Sequence, residues 1–148
     1  MEHINGFKLT LLTILGVFGS FVTTLLGGWD TALQTLIIFM IVDYVTGLIV
    51  AGVFKKSNKS DSGALDSKAG WIGLCKKGGT LLIILIAARL DIMTGTEFFR
   101  DAAVIAYCIN ELLSIIENAG LMGIPIPESV KKGIDVLNSI KQSKGGGA

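Results

Sequence analysis

Two carboxylates stand where water should be scarce. Asp43 lies well inside an apolar run from Thr31 to Phe54, and Glu111 lies inside another from Phe98 to about Ile116. An ionisable group at membrane depth is costly, so it normally faces protein or a water-filled cavity. Thr46 and Gly47 fall one helical turn from Asp43. Tyr107 and Ser114 fall one turn from Glu111, and Asn110, Glu117 and Asn118 extend the polar face. The chemistry this suggests is the lining of a wet lumen or of an oligomer interface, carried by Asp43, Thr46, Tyr107, Asn110, Glu111 and Ser114. A plainer reading has each carboxyl protonated or hydrogen-bonded in the interior, where it only fixes helix packing. A third reading, a paired-carboxylate enzyme, lacks any sign of a substrate pocket.

Other chemistry is excluded by what the chain lacks. Cys75 and Cys108 have no metal-ligand neighbours at a useful spacing, and His3 is the single histidine. No catalytic group, metal site or cofactor site is therefore expected. Nothing resembles a phosphate loop or a nucleophile elbow. A net charge of +1 gives no support for nucleic-acid binding. Small residues recur at four-residue spacing as Gly16 with Ser20, Gly19 with Thr23, and Gly47 with Ala51. Such faces let helices approach closely in lipid, within one chain or between copies.

The elements that must hold these groups follow from composition. Of 148 residues, 51% are hydrophobic and 17% charged, and the mean hydropathy is +0.65. The charges are gathered into short clusters between long apolar runs, the pattern of an all-α integral membrane protein. Spans are expected at about 9–26, 31–54, 78–93 and 98–116, with a loop at 55–77. The unit 1–124 is thus a transmembrane domain, and 125–148 a C-terminal amphipathic helix and flexible tail. The first run is too long, and lacks the cleavage pattern, for a signal peptide. Eleven of the 13 basic residues (Lys8, six lysines from Lys55 to Lys77, and Lys131, Lys132, Lys141 and Lys144) fall on one side of this four-span arrangement. The opposite loops, 27–30 and 91–97, have none. Cytoplasmic loops collect lysine and arginine, so both termini and the C-terminal helix are placed in the cytoplasm. Asp43 and Glu111 then lie about 18 Å and about 20 Å from the outer end at about 1.5 Å per residue, close to one depth.

Smaller features fit this frame. Trp29 and Trp71 fall at expected membrane–water boundaries. Arg89, Asp91, Arg100 and Asp101 cluster near the outer ends, where snorkelling or an Arg89–Asp101 pair would accommodate them. Residues 67–77 are apolar enough to lie along the membrane surface. Pro127 suits the first turn of the last helix. Val130, Ile134, Leu137 and Ile140 make an apolar stripe there, beside Lys131, Lys132 and Lys141. Such a stripe suits a membrane surface or a partner.

Three stretches carry a more specific signal. They are Asp43-Tyr44-Val45-Thr46-Gly47, the run Ser67 to Lys77 (SKAGWIGLCKK), and the run Asn110 to Pro127 (NELLSIIENAGLMGIPIP). In order and spacing, from about Trp29 to Lys132, the chain resembles the toxin secretion/phage lysis holin family of Gram-positive phages and prophages. The resemblance implies a homo-oligomer in the bacterial cytoplasmic membrane, in contact with lipid, that opens lesions for an endolysin or a large toxin. It implies no enzyme activity. A small ion channel or transporter, and an antiholin or scaffold, are the rival readings.

Overall fold

The computed structural model describes residues 6–145 and, within the last helix, not the side chains of residues 137, 138 and 140–145. His3 and the final residues 146–148 lie outside the described part. Among the described residues every regular element is helical: α1 (Gly6–Leu25), α2 (Thr31–Ile49) closed by a π turn (Val50–Phe54), α3 (Ser67–Thr94), α4 (Phe98–Leu121) and α5 (Glu128–Gly145). Three helical stretches are long and apolar enough to cross a membrane: Gly6–Leu25, Thr31–Phe54 and Ser67–Thr94. The last stretch corrects the sequence reading. The expected loop 55–77 is only half as long, because Asp66 caps a helix that begins at Ser67, its carboxylate accepting from the Lys68 N–H at 2.8 Å. Sixteen residues, 78–93, make a helix of about 24 Å, short of a bilayer core of about 30 Å. Twenty residues separate Asp91 from Trp71, about 30 Å of helix, and the helix itself runs back through Lys76 and Lys77.

α4 is less apolar, since it carries Arg100, Asp101, Glu111 and Glu117. It is nonetheless the centre of the body. It packs along α2, with which it runs parallel, and along the antiparallel α3. The core between them is Leu33, Leu36, Met40, Ile84 and Val104, closed at one end by Leu26. The helices are matched in register by small residues. A Cβ on Gly70 of α3 would stand 3.6 Å from the Tyr44 hydroxyl of α2, so this face lets the helices close around a large ring. α1 differs: none of its residues is buried, and Gly16 and Gly19 have open space where a Cβ would point. Of the small-residue pairs, Gly47 and Ala51 thus face the body, with Gly47 opposite Asn118, while Gly16 faces away from it. The last helix begins just after Pro127, whose carbonyl accepts from the Val130 and Lys131 N–H groups at 2.9 and 3.1 Å.

Candidate functional site

Asp43 and Glu111 lie at one level of the helix bundle, and a third group lies between them. Lys77 Nζ donates to Asp43 Oδ2 at 2.8 Å and to Glu111 Oε2 at 2.5 Å. The three residues come from α2, α4 and α3, so one ammonium joins all three helices of the body. Its side chain is 13% exposed. A strongly hydrated point charge is held away from bulk water only if its donors are satisfied, and two carboxylates do so here. Asn118 completes the arrangement. Its Nδ2 donates to Asp43 Oδ1 at 3.1 Å, to the Asp43 carbonyl at 3.3 Å and to Thr46 Oγ1 at 3.0 Å. Thr46 in turn donates to the Val42 carbonyl at 2.8 Å. Among the described residues no buried side-chain polar atom lacks a partner.

A cavity of about 490 Å³ opens beside this triad, bounded by α2, α3, α4 and the segment 57–66. Asn110 and Ser114 line it, together with Asp43 and Glu111. Tyr107 does not: it lies one turn from Glu111 and packs on the apolar core. Lys77 is the residue that sequence reasoning misses, and for Asn118, placed on the polar face, it misses the partners on α2. In the sequence Lys77 is one more loop lysine. The signal that points to it is the shortness of the 78–93 run, which forces the helix back through it.

The opposite end of the body carries a second cluster, built on Arg100. This side chain is buried, which corrects the expectation that it snorkels to the surface. Its guanidinium donates to the Leu26 carbonyl at 2.6 Å, Asp30 Oδ2 at 2.6 Å, Asp101 Oδ1 at 3.1 Å and the Gly28 carbonyl at 3.3 Å. Asp101 therefore pairs with Arg100, whereas Arg89 is exposed. The peptide of Gly27 bends with φ of +89°, and a Cβ there would meet the Arg100 side chain at 2.6 Å. Only glycine satisfies both conditions. Asp30 also caps α2, its Oδ1 accepting from the Leu33 N–H at 2.8 Å. The hydrogen bond from Arg100 holds the Asp30 carboxyl below its ordinary value. Asp91 caps α4 by accepting from the N–H groups of Phe99 and Arg100 at 3.0 and 2.7 Å, and from the Thr96 hydroxyl at 2.7 Å. Among the described residues no group of His, Cys, Asp and Glu has the arrangement of a metal site.

Three helices long and apolar enough to cross a membrane point to a membrane protein, and known proteins give it a family. The sequence model of the bacteriophage holin family matches residues 20–139. The chain belongs to the bacteriophage holin family. A "Probable holin" of Bacillus phage phi105 is 31% identical over 113 residues, covering 76% of this chain and 78% of that protein. An uncharacterised 14.9 kDa protein in the nagH 3' region of Clostridium perfringens is 39% identical over 125 residues, covering 83% and 89%. An uncharacterised Listeria monocytogenes protein is 36% identical over 127 residues, covering 85% and 84%. No solved structure matches this holin-family chain. Holins form pores in membranes and are not enzymes. Most of α1 precedes the matched region, so the family's shared part is α2, α3, α4 and most of α5.

Proposed function

We propose that this chain is a lesion-forming holin of a Gram-positive host's cytoplasmic membrane, which self-associates and releases an endolysin, or a large toxin, toward the cell wall. The observation that carries this reading is the pairing of Lys77 with Asp43 and Glu111 inside a family of pore-forming proteins. In lipid, apolar helices gain little by packing on each other, so polar contacts and small residues govern association. A protein that must accumulate harmlessly needs its intramembrane charges closed on themselves. A lesion needs the same charges turned toward water. The triad supplies both states: α2, α3 and α4 closed on Lys77, or separated with Asp43, Glu111 and their neighbours Thr46, Asn110 and Ser114 lining a wet edge. Gly16 and Ser20 of α1, uncovered within the subunit, would serve contacts between copies.

α4 is the fourth span in this proposal. Its charges argue against lipid exposure but not against a protein-lined position, because Glu111 is held by Lys77 and Arg100 by Asp30. Four spans put the lysine-rich segments and both termini in the cytoplasm. The deciding experiment is inducible expression in a bacterium with and without a cytoplasmic endolysin that lacks its own export signal. Abrupt lysis only when both are present is the expected result. Ion leakage without endolysin-dependent lysis would indicate a small channel. Membrane insertion with no effect at all would indicate an antiholin or scaffold.

A further inference from the structure

The cavity beside the triad has a floor as well as a mouth. Its deep lining is Asp43 on α2, Thr80 on α3 and Glu111 on α4. One turn further along the same three helices stand Met40, Ile84 and Tyr107, which belong to the apolar core. Met40 and Ile84 are buried, and Leu33, Leu36 and Val104 fill the space beyond them. The mouth lies at the other end, where Ser57, Lys59 and Lys76 line it. The segment 57–66 roofs it, tied to α4 by Asn58 Nδ2 donating to Glu117 Oε1 at 3.1 Å. The cavity thus runs from the lysine-rich end toward the middle of the body and stops.

We propose that this cavity is a one-sided aqueous vestibule, which carries water and small hydrophilic solutes from the lysine-rich face to the Lys77 triad and ends at the Met40–Ile84–Tyr107 layer. Charge and size support this. Two carboxylates share one ammonium at its floor, and Lys59 and Lys76 line the same cavity; charged groups on its walls favour water within it, since burying them dry is costly. A volume of about 490 Å³ holds on the order of 15 waters at about 30 Å³ each. The layer below offers an apolar surface, which excludes water. The consequence is that the triad is hydrated from one side only, and that solutes reach it from that side before any subunit rearrangement. Asp43 and Glu111 then need not travel to become wet; it is the apolar layer that separates them from the far side.

Cysteine accessibility tests this on the full chain in native membranes, in a background with Cys75→Ser and Cys108→Ala. Thr80→Cys, Ile84→Cys and lipid-facing Ile83→Cys are compared with Ser57→Cys at the mouth. Each is treated from either face with a membrane-impermeant methanethiosulfonate. Thr80→Cys should label from the same face as Ser57→Cys, with labelling lost one turn deeper at Ile84→Cys and also at Ile83→Cys. If Thr80→Cys fails to accumulate, Ser114→Cys takes its place. An unreactive Thr80→Cys beside a reactive Ser57→Cys would overturn the vestibule. Equal labelling of Ile84→Cys would overturn the floor. The measurement reads the resting protein and no lysis, so it can fail or succeed independently of the holin proposal.

Discussion

The body is held by two polar clusters, one at each end of the apolar core, and they are built differently. At one end Arg100 spreads a planar fork over two backbone carbonyls and two carboxylates, all in or beside the α1–α2 turn or at the start of α4. At the other, Lys77 places one compact ammonium between carboxylates from two separate helices. The fork is pre-organised and most of its acceptors are fixed backbone or helix-end groups, so separating the helices there means breaking turns and caps. The ammonium depends on side chains alone. Rotating α4 or α3 about its axis can release it without unfolding a residue, and the cavity beside it supplies room. The contrast assigns connectivity to the Arg100 end and change to the Lys77 end.

The sharpest way to break that contrast is to remove Lys77. Lys77→Met leaves Asp43 and Glu111 facing each other across the cavity without the ammonium they share. Losing one partner of a fully buried pair costs about 3–5 kcal/mol, and water in the cavity makes that an upper bound here. Premature lysis or loss of the protein from the membrane is expected, read by lysis time and by immunoblot of the membrane fraction. Adding Asp43→Asn and Glu111→Gln to the same chain removes the stranded charges and should restore the level. An unchanged lysis time in Lys77→Met alone would show that the triad holds nothing. The carboxylates taken singly should do less, because Lys77 keeps the other one. Asp43→Asn or Glu111→Gln is expected to cost about 1–3 kcal/mol and to shift the lysis time without abolishing accumulation. Unaltered timing in both would remove their assigned role.

The Arg100 end should respond in stability rather than in timing. Gly27→Ala forces a side chain into a left-handed backbone, worth about 1–3 kcal/mol, and drives its Cβ against Arg100. Thermal unfolding in detergent should move to lower temperature, while lysis time, compared at equal protein level, stays the same. A change in timing at equal level would show that the two ends are coupled and that the division between them is wrong.

Much of the triad is legible in the amino-acid sequence. A carboxylate inside an apolar run is conspicuous, and counting 1.5 Å per residue from the span starts puts Asp43 and Glu111 at similar depth. Lys77 is hidden by the rule that orients the protein. Lysines flanking a span are collected as loop charges, and that count has no place for a lysine that turns inward from the first turns of the helix. The expected span boundary at Gly78 follows apolarity, whereas the helix follows its cap at Asp66. Asn118 is visible on a polar face but not as a donor, since its acceptors are 72 and 75 residues away on α2. The Arg100 cluster escapes the sequence for a related reason. An arginine near a span end has a cheap route to water, and nothing local indicates that the Gly27–Gly28 turn offers it carbonyls instead.

Asp30 gives the smallest and most specific test of that second cluster. Its carboxylate, 47% exposed, accepts from Arg100, which keeps its folded-state value below the ordinary 3.8. A group with a depressed folded value contributes stability that is fully present above the unfolded value and is lost as pH falls through the folded one. The window therefore lies below about pH 4, where Asp30 still ionised in the folded protein would be protonated in the unfolded chain. Solvent screening of so exposed a pair limits the contribution to about 1 kcal/mol or less. Asp30→Asn keeps an acceptor for the Leu33 N–H, because asparagine caps helices about as well as aspartate. The variant should thus lose only the charge-dependent part. Melting temperatures of the two chains, measured from pH 7 down to pH 3, should differ slightly at neutral pH and converge in acid. Equal melting temperatures at every pH would assign Asp30 to capping alone and leave Arg100 held by the backbone carbonyls of Leu26 and Gly28.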